Sequence, residues 1–328
     1  MHKSRGVINC GALDTGGPAF FLGKSDMCIQ TNRTPKQTIM IGLTELIREI
    51  AATEEDTPED IFASAPGFLF TDDLRNQHGD PGSIIVYKSQ RFGDIELTTA
   101  DPNGEEERTL FSHYLWNAGI LMAERVSGQR LLNEQEEKQW AVEGHNVLEL
   151  GAGVGLLGIA STLAGATHVC ISDYPAQVVL DNIKRNVKHN VPETIVAKAR
   201  VQGHAWGVLD DDFARANARK FSRVMAADCF WMPWQHENLA SSMLHFLSDD
   251  PEARVLAMGG FHTGRAKLAA FFDVASEKGL EVQEIYEEDD QGNRREWVKE
   301  KDGGRENVTE RKKWLTIAIL RRGEEQRF

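Results

Sequence analysis

The residues of this sequence that are best suited to chemistry form a glycine-rich turn after an apolar segment. The apolar residues Val147–Leu150 lead directly into the turn Gly151–Gly155, and a helical pattern begins at once. A turn of this kind presents backbone N–H groups to a bound ligand at the carboxyl end of a strand. Asp173 follows a second apolar segment, 20 residues after Gly153, where a carboxylate can accept both hydroxyls of a ribose. These residues predict a site for a nucleotide-type cofactor.

The glycine turn by itself fits two cofactors. Gly153–Gly158 matches G-x-G-x-x-G, and its spacing to Asp173 is the one expected for a dinucleotide such as NAD. The register of the turn favours S-adenosylmethionine instead, because the apolar segment ends at Leu150 and the first glycine is Gly151. Glu149 favours it too, since a carboxylate inside a strand is costly unless it has a function.

Both carboxylates also have a structural interpretation. We expect Glu149 to contact the ammonium side of the methionine moiety, directly or through water. The alternative is a structural carboxylate that accepts hydrogen bonds from nearby backbone N–H groups. For Asp173 the alternative to ribose binding is a helix cap or a turn before Pro175. The glycine turn before it favours the cofactor interpretation of Asp173.

From residue 146 onward, strand-like apolar segments alternate with helical patterns. We predict seven strands, at Val147–Leu150, Val169–Ser172, Ile195–Val201, Arg223–Ala227, Arg254–Met258, Leu280–Tyr286 and Trp314–Leu320. The alternation predicts an α/β fold with a Rossmann-like, mostly parallel sheet and helices on both faces. The last two strands have no helix between them and must form an antiparallel hairpin. A plain dinucleotide-binding sheet ends in parallel strands, which is a third reason to favour S-adenosylmethionine.

The residues before this sheet have a different character. Residues 1–39 are rich in glycine, threonine and polar residues without a sustained period, so we expect a poorly ordered leader. Met40 opens an apolar pattern at helical spacing, and we predict that the functional chain begins there. A small N-terminal β-hairpin is expected between Ser83 and Thr99. The predicted organisation is a leader (1–39), a helix and hairpin extension (40–109) and the main α/β domain (110–328).

Charge and cysteine content limit the functional classes. The formal net charge of −13 argues against a general nucleic-acid binder and suits a basic partner. The four cysteines show no C-x-x-C spacing, which argues against a metal site and favours a reducing compartment. No window approaches the about 20 apolar residues of a membrane helix. We therefore expect a cytoplasmic protein without metal, nucleic-acid or membrane partners.

The connection between the last two predicted strands is highly charged. Of the 30 residues from 284 to 313, ten are acidic and eight are basic. Such a composition is typical of a solvated, mobile loop. The alternative is an arm that docks a partner protein.

Four short motifs resemble one known family closely. They are Leu115–Gly119 (L-W-N-A-G), Val147–Gly155, Ser172–Pro175 (S-D-Y-P) and Gly203–Gly207 (G-H-A-W-G). The sequence resembles the seven-β-strand methyltransferase family 16, and within it the fungal branch described as nicotinamide N-methyltransferase-like. Characterised members of that branch methylate the amino terminus and an adjacent lysine of translation elongation factor 1-alpha. The resemblance covers residues 82–321.

The resemblance implies a set of cofactor-binding residues. They are Trp116, Gly151, Ala152, Gly153, Asp173, Tyr174, Trp206 and Ala227, to which the strand position adds Glu149. Aromatic faces suit an adenine ring or a sulfonium cation. For the two tryptophans the alternative is core packing, since tryptophan is usually largely buried.

The acceptor pocket departs from the family pattern. The family commonly has an acid after the fourth strand and Tyr or Phe three residues later; here Asp228 is present, but Trp231 takes the aromatic position. An Asn-His-Ser-like run is replaced by residues 232–236, which include Trp234 and His236. We predict that Asp228 orients or helps to deprotonate an acceptor amine, with His236 as a weaker candidate base or an exposed histidine at a helix start. The predicted walls of the acceptor pocket are Phe230, Trp231 and Trp234.

The predicted function is that of an S-adenosylmethionine-dependent N-methyltransferase acting on a protein lysine or amino terminus. A basic translation factor such as elongation factor 1-alpha is the candidate substrate. One alternative is a small-molecule N-methyltransferase with a nicotinamide-like or fungal-metabolite acceptor, which the aromatic run at 230–234 favours. Another is a catalytically silent protein that binds the cofactor. A dehydrogenase is the remaining alternative.

Overall fold

The computed structural model describes residues 40–50, 76–100 and 114–324 of the 328-residue chain. The chain divides after Ile39 into two units, and all the described residues belong to the second. The predicted leader, residues 1–39, lies outside the described residues. Across the three described ranges, no helix combines the length and the apolar character needed to cross a membrane.

The N-terminal part forms two small sheets. The first has the order β1-β3-β4, and the second pairs β2 with β5. The strands are β1 (Ile47–Ile50), β2 (Gln77–His78), β3 (Ile84–Ser89), β4 (Gly93–Thr98) and β5 (Leu115–Trp116). The predicted hairpin is confirmed, because β3 and β4 are antiparallel and are joined by the turn 90–92.

The helix predicted to begin at Met40 was wrong. The chain forms a single 3-10 turn, Leu43–Leu46, and then enters β1. β1 pairs antiparallel with β3, so that Ile47 lies opposite Tyr87. Residues 47–50 alternate in exposure along the strand, and pairing with an existing hairpin favours the extended form for β-branched isoleucines.

The central sheet has eight strands in the order β12-β11-β13-β10-β9-β6-β7-β8. The strands are β6 (Asn146–Leu150), β7 (His168–Asp173), β8 (Ala199–Gly203), β9 (Arg223–Ala227), β10 (Arg254–Gly260), β11 (Leu280–Asp289), β12 (Arg294–Glu296) and β13 (Trp314–Arg322). The strands from β10 to β8 are parallel, whereas β13 is antiparallel to both β10 and β11. The predicted α/β class and antiparallel closing pair are therefore confirmed, with one strand more than the predicted seven.

Helices cover both faces of this sheet. They are α1 (Asn117–Val126), α2 (Glu134–Trp140), α3 (Leu156–Leu163), α4 (Gln177–Asn190), α5 (Asp212–Asn217), α6 (His236–Phe246), α7 (Arg265–Lys278) and α8 (Val308–Lys312). Successive side chains of a strand point to opposite faces. Val147 thus joins a core with α1, α3 and α4, whereas Leu148 joins a second core with α6 and α7.

Three asparagines on α4 attach the N-terminal hairpin to the main domain. Asn186 accepts from the backbone N–H of Thr98 at 2.9 Å and donates to its carbonyl, and Asn190 does the same at Glu96. Asn182 donates to the carbonyl of Thr98 at 2.7 Å. These bonds satisfy one edge of β4, which would otherwise present unpaired backbone groups.

The charged connection before β13 is folded rather than a solvated loop, so that prediction was wrong. Residues 294–296 form β12 on the edge of the sheet, and α8 follows. Arg294 pairs with Glu136 and Glu288, and Arg295 pairs with Glu287. Glu287 and Glu288 are fully buried, because opposite charges and good hydrogen bonds offset the cost of taking them out of water.

Candidate functional site

A cleft lies at the carboxyl ends of β6, β7 and β9, where a parallel sheet binds its ligands. Its volume is about 880 Å³ when the part that is open to solvent is included. Its lining comprises Tyr114, Trp116, Gly151, Gly153, Asp173, Tyr174, His204, Ala205, Trp206, Ala227, Asp228, Cys229, Trp231, Met232, Gln235 and Asn238. The structure therefore brings together residues from both predicted ends of the site. Among the described residues, no cluster of three or more His, Cys, Asp or Glu side chains could hold a metal ion.

The glycine turn needs its glycines for two physical reasons. Gly151, Gly153 and Gly155 all have positive φ, at 70°, 58° and 84°, a region that other L-residues rarely adopt. A Cβ on Gly151 would also lie 2.8 Å from Sγ of Cys229 and 3.1 Å from the ring of Trp206. The turn therefore approaches the cleft wall more closely than any side chain would permit.

Asp173 lies at the end of β7 and faces the turn. Its Oδ2 accepts from the backbone N–H of Gly153 at 2.7 Å, and its Oδ1 accepts from that of Tyr174 at 2.7 Å. Burial raises the pKa of this carboxyl to about 6, although the two N–H donors oppose the shift. A buried carboxylate in the cleft lining, with each oxygen tied by one bond, retains lone pairs for further donors.

Glu149 does not belong to the cleft lining. Its side chain points to the α3 face of the sheet, where Oε2 accepts from the backbone N–H of Gly158 at 2.9 Å. This N–H belongs to the first turn of α3, whose N-cap residue Gly155 has no side chain to offer. Burial raises the pKa of Glu149 to about 8. The observed contact is thus the structural alternative considered for this residue, a carboxylate satisfied by backbone.

The remaining predicted cofactor residues divide into two groups. Trp116, Tyr174, Trp206 and Ala227 line the cleft together with the glycines, whereas Ala152 is outside the lining. The N–H of Ala152 donates to the carbonyl of Ser172 at 3.0 Å, which holds the turn against β7.

Asp228 is buried in the wall of the cleft, directly after β9. It has a φ of 58°, a conformation that is uncommon for a residue with a side chain. Its Oδ1 accepts from the N–H of Gly260 at 3.1 Å, and its Oδ2 lies 2.9 Å from Nε2 of His262. Burial lowers the pKa of His262, but the adjacent Asp228 more than offsets this, so the pKa is raised overall.

Of the predicted acceptor-pocket residues, only Trp231 lines the cleft. Phe230 is buried in the second core, with its ring 4.4 Å from that of Phe271. Trp234 is 71% exposed, outside the lining, and contacts Trp231 edge to face. The prediction of Phe230 and Trp234 as walls was therefore wrong for this structure, because the 3-10 turn Pro233–Gln235 carries Trp234 away from the cleft.

His236 is neither an exposed helix-start residue nor part of the cleft. It is buried at the first position of α6 and donates from Nε2 to the carbonyl of Phe230 at 2.8 Å. Burial lowers its pKa. The bond fixes the turn that carries Trp231, so the residue acts on the local backbone.

Sequence reasoning missed His204 and His262. His204 lies inside the G-H-A-W-G motif, and its Nε2 lies 3.0 Å from Oγ of Ser242, which also accepts from the N–H of Gly207. Burial lowers its pKa to about 4, so the ring is neutral and anchors the loop that carries Trp206. For His262, the signal was the glycine pair 259–260 at the carboxyl end of a parallel strand, which marks a close backbone approach.

The described residues fit S-adenosylmethionine. The fit rests on a glycine cradle that a Cβ at Gly151 would fill, on the buried Asp173 carboxylate in the lining, and on the aromatic faces of Trp116 and Trp206. Backbone N–H groups and a carboxylate suit the amino-acid and ribose parts, and aromatic rings suit an adenine or a sulfonium. When bound, this cofactor supplies an electrophilic methyl group on a sulfonium.

Comparison with known proteins agrees with this geometry. A family model described as lysine methyltransferase matches residues 103–277. A protein N-terminal and lysine N-methyltransferase of Schizosaccharomyces pombe is 31% identical over 203 residues, covering 57% of this chain and 74% of that protein. A protein of the same name from Candida glabrata is 31% identical over 182 residues, covering 54% and 66%.

Solved structures are more distant. The ribosomal protein L11 methylase of Lactobacillus delbrueckii subsp. bulgaricus is 17% identical, with a TM-score of 0.40, over 69% of this chain and 83% of that one. The family model covers more than half of the sequence. The chain therefore belongs to the lysine methyltransferase family and is an S-adenosylmethionine-dependent methyltransferase.

Proposed function

We propose that the protein transfers the methyl group to an amine of a protein, either a lysine or an amino terminus, and that elongation factor 1-alpha is the acceptor. The observation that carries the proposal is the position of Asp228, a buried carboxylate in the wall of the cleft that also contains the glycine turn. A carboxylate there attracts and orients an ammonium group. The names of the two relatives support a protein lysine or amino terminus as the acceptor. The choice of elongation factor 1-alpha rests on the family resemblance alone.

The residues around Asp228 suit an amine that must lose a proton. A nucleophilic amine reacts only when it is neutral, and a partly apolar environment lowers the pKa of an ammonium group. Trp231 and Met232 line the same cleft as Asp228 and provide such an environment. The protein's main contribution would be to hold the amine in line with the methyl carbon and to exclude water.

The rim of the cleft supports a protein acceptor. Tyr174 is half-exposed and Trp234 is 71% exposed, so apolar surface is available beside the opening. The net charge of −13 favours a basic partner. Trp231 in the wall favours a second candidate, a planar small-molecule amine, because an aromatic side chain can stack on it. Because the proposed acceptor is a translation factor, a cytoplasmic location is also part of the proposal.

The test is a methylation assay with purified protein, tritiated S-adenosylmethionine and recombinant elongation factor 1-alpha. We expect label on the factor, located by mass spectrometry at its amino terminus or an adjacent lysine, and loss of label when both positions are blocked. The matched control enzyme is Asp173→Ala. Label on nicotinamide or on a small-molecule fraction instead would establish the second candidate and contradict the protein acceptor.

Calorimetry separates catalysis from binding alone. We expect S-adenosylhomocysteine to bind the wild-type protein and NAD to show no binding. Binding without transfer to any acceptor in a whole extract would show a catalytically silent cofactor-binding protein.

A further inference from the structure

One short segment, from the last residue of β10 to His262, holds both oxygens of the Asp228 carboxylate. Gly260 donates its backbone N–H to Oδ1, and His262 places Nε2 at 2.9 Å from Oδ2. Asp228 and His262 are 34 positions apart in the sequence. Because both contacts come from the end of the neighbouring strand, the carboxylate cannot rotate without losing at least one of them.

His262 also contacts the cofactor end of the cleft. Its ring centroid lies 4.7 Å from that of Trp116, with the ring planes inclined by 55°. Trp116 lines the cleft, and His262 is partly exposed beside it. A single imidazole therefore contacts one residue from each end of the site.

The absence of a side chain at Gly260 leaves space for the imidazole ring of His262. A Cβ on Gly260 would lie 2.5 Å from Nε2 of His262, so only glycine leaves room for the ring at that distance. Asp228 itself has a positive φ, and its N–H donates to the carbonyl of Met258 at 2.8 Å. A non-glycine residue in this conformation persists only where its surroundings hold it, and such residues concentrate at functional sites.

We propose that His262 is a positioning residue for methyl transfer, holding the Asp228 carboxylate at the acceptor end of the cleft. The proposal rests on the proposed role of Asp228 toward the acceptor amine. His262 acts through Asp228 and needs no contact with substrate. The charged groups that face it are Asp228 and Lys312, of which Asp228 favours the imidazolium and Lys312 opposes it.

Two substitutions separate the hydrogen bond from the ring contact. His262→Gln keeps an N–H donor toward Asp228, whereas His262→Phe keeps a ring beside Trp116 and removes the donor. Loss of one charge-assisted bond should lower kcat/KM for the acceptor by about tenfold in His262→Phe. We expect His262→Gln to stay within about threefold of wild type, and both to bind S-adenosylhomocysteine like wild type.

The double variant tests whether His262 acts through Asp228. If it does, adding His262→Phe to Asp228→Asn causes little further loss, since coupled residues are not additive. Independent, additive losses would overturn the proposal. Equal losses in His262→Gln and His262→Phe, or wild-type kcat/KM in His262→Phe, would overturn it as well.

A titration without acceptor keeps this test separate from the proposed function. The imidazole of His262 is followed by NMR in protein with carbon-13-labelled histidine, and is assigned by the loss of its signal in His262→Gln. We expect its pKa to fall in Asp228→Asn; an unchanged pKa would contradict the contact. If wild type methylates no acceptor, the proposed function fails, but this titration still decides whether His262 is held by Asp228.

Discussion

The two ends of the cleft are built in different ways. The proposed cofactor end includes the turn 151–155 and Asp173, the residue that ends β7, and the contacts of Asp173 are made with backbone N–H groups. The acceptor end joins the residue after β9, Asp228, to a segment after β10 that includes His262. Asp173 is thus held by backbone N–H groups, whereas Asp228 is also held by a side chain, His262, that lies 34 positions away in the sequence.

This difference predicts different responses to mutation. Asp173 is held by two backbone N–H donors and lies against the glycine turn, so changes there should act on cofactor affinity. Asp228 is tied by Gly260 and His262, so changes there should act on turnover of the acceptor. The two ends can therefore be tested with separate measurements.

The largest effect is expected at the acceptor end. Asp228→Asn should lower kcat by about 100-fold or more, because a positioned acid or base commonly contributes that much. The Kd for S-adenosylhomocysteine should stay at the wild-type value in calorimetry. Asp212→Asn changes a fully exposed aspartate and is the matched control. Wild-type turnover in Asp228→Asn would remove the basis for separating the two ends.

The next effect is expected at the cofactor end. Asp173→Ala should raise the Kd for S-adenosylhomocysteine by about 100-fold, through the loss of two hydrogen bonds to a charged acceptor. Calorimetry measures this directly. Asp181→Ala, which removes an exposed aspartate paired with Lys184, should leave the Kd unchanged. Weak turnover with an unchanged Kd for S-adenosylhomocysteine in Asp173→Ala would contradict the assignment of cofactor binding to this end of the cleft.

The raised pKa of Asp173 gives the cofactor end a pH dependence. We propose that the ionised carboxylate accepts the ribose hydroxyls, so that cofactor affinity is full above the pKa of about 6 and falls as the group is protonated below it. The Kd should rise by at most about tenfold per pH unit below that value. Titrations at several pH values check this, and Asp173→Asn should lack this contribution. A Kd that is constant down to about pH 4.5 would contradict the assignment.

The smallest effect is expected at the rim. Trp234→Ala should raise the acceptor KM by no more than about threefold, since most contacts at a protein surface contribute little. Trp231→Ala should lower kcat/KM by about tenfold, because its ring lines the cleft. Steady-state kinetics with one acceptor compares them. A larger effect for Trp234 than for Trp231 would place the acceptor against the rim.

Much of the fold could be predicted from the chain alone. β9 has the predicted bounds, and the α/β class with its antiparallel end follows from the order of strands and helices. The prediction of a helix at Met40 was wrong. The apolar residues have helical spacing, but pairing of β1 with β3 stabilises the extended form. The connection 284–313 was also predicted wrongly, since composition does not show that Arg294 and Arg295 lie against buried glutamates.

Part of the proposed cofactor site follows from residues that are close in the sequence. Gly151, Gly153 and Asp173 stand at the ends of adjacent strands, so their spacing alone brings them together. Glu149 could not be assigned in this way, because only the position of α3 shows that Gly158 supplies its hydrogen bond. The contacts of Asp228 with Gly260 and His262 likewise depend on the pairing of β9 with β10. Side-chain direction and long-range contact depend on packing, which no short stretch of sequence contains.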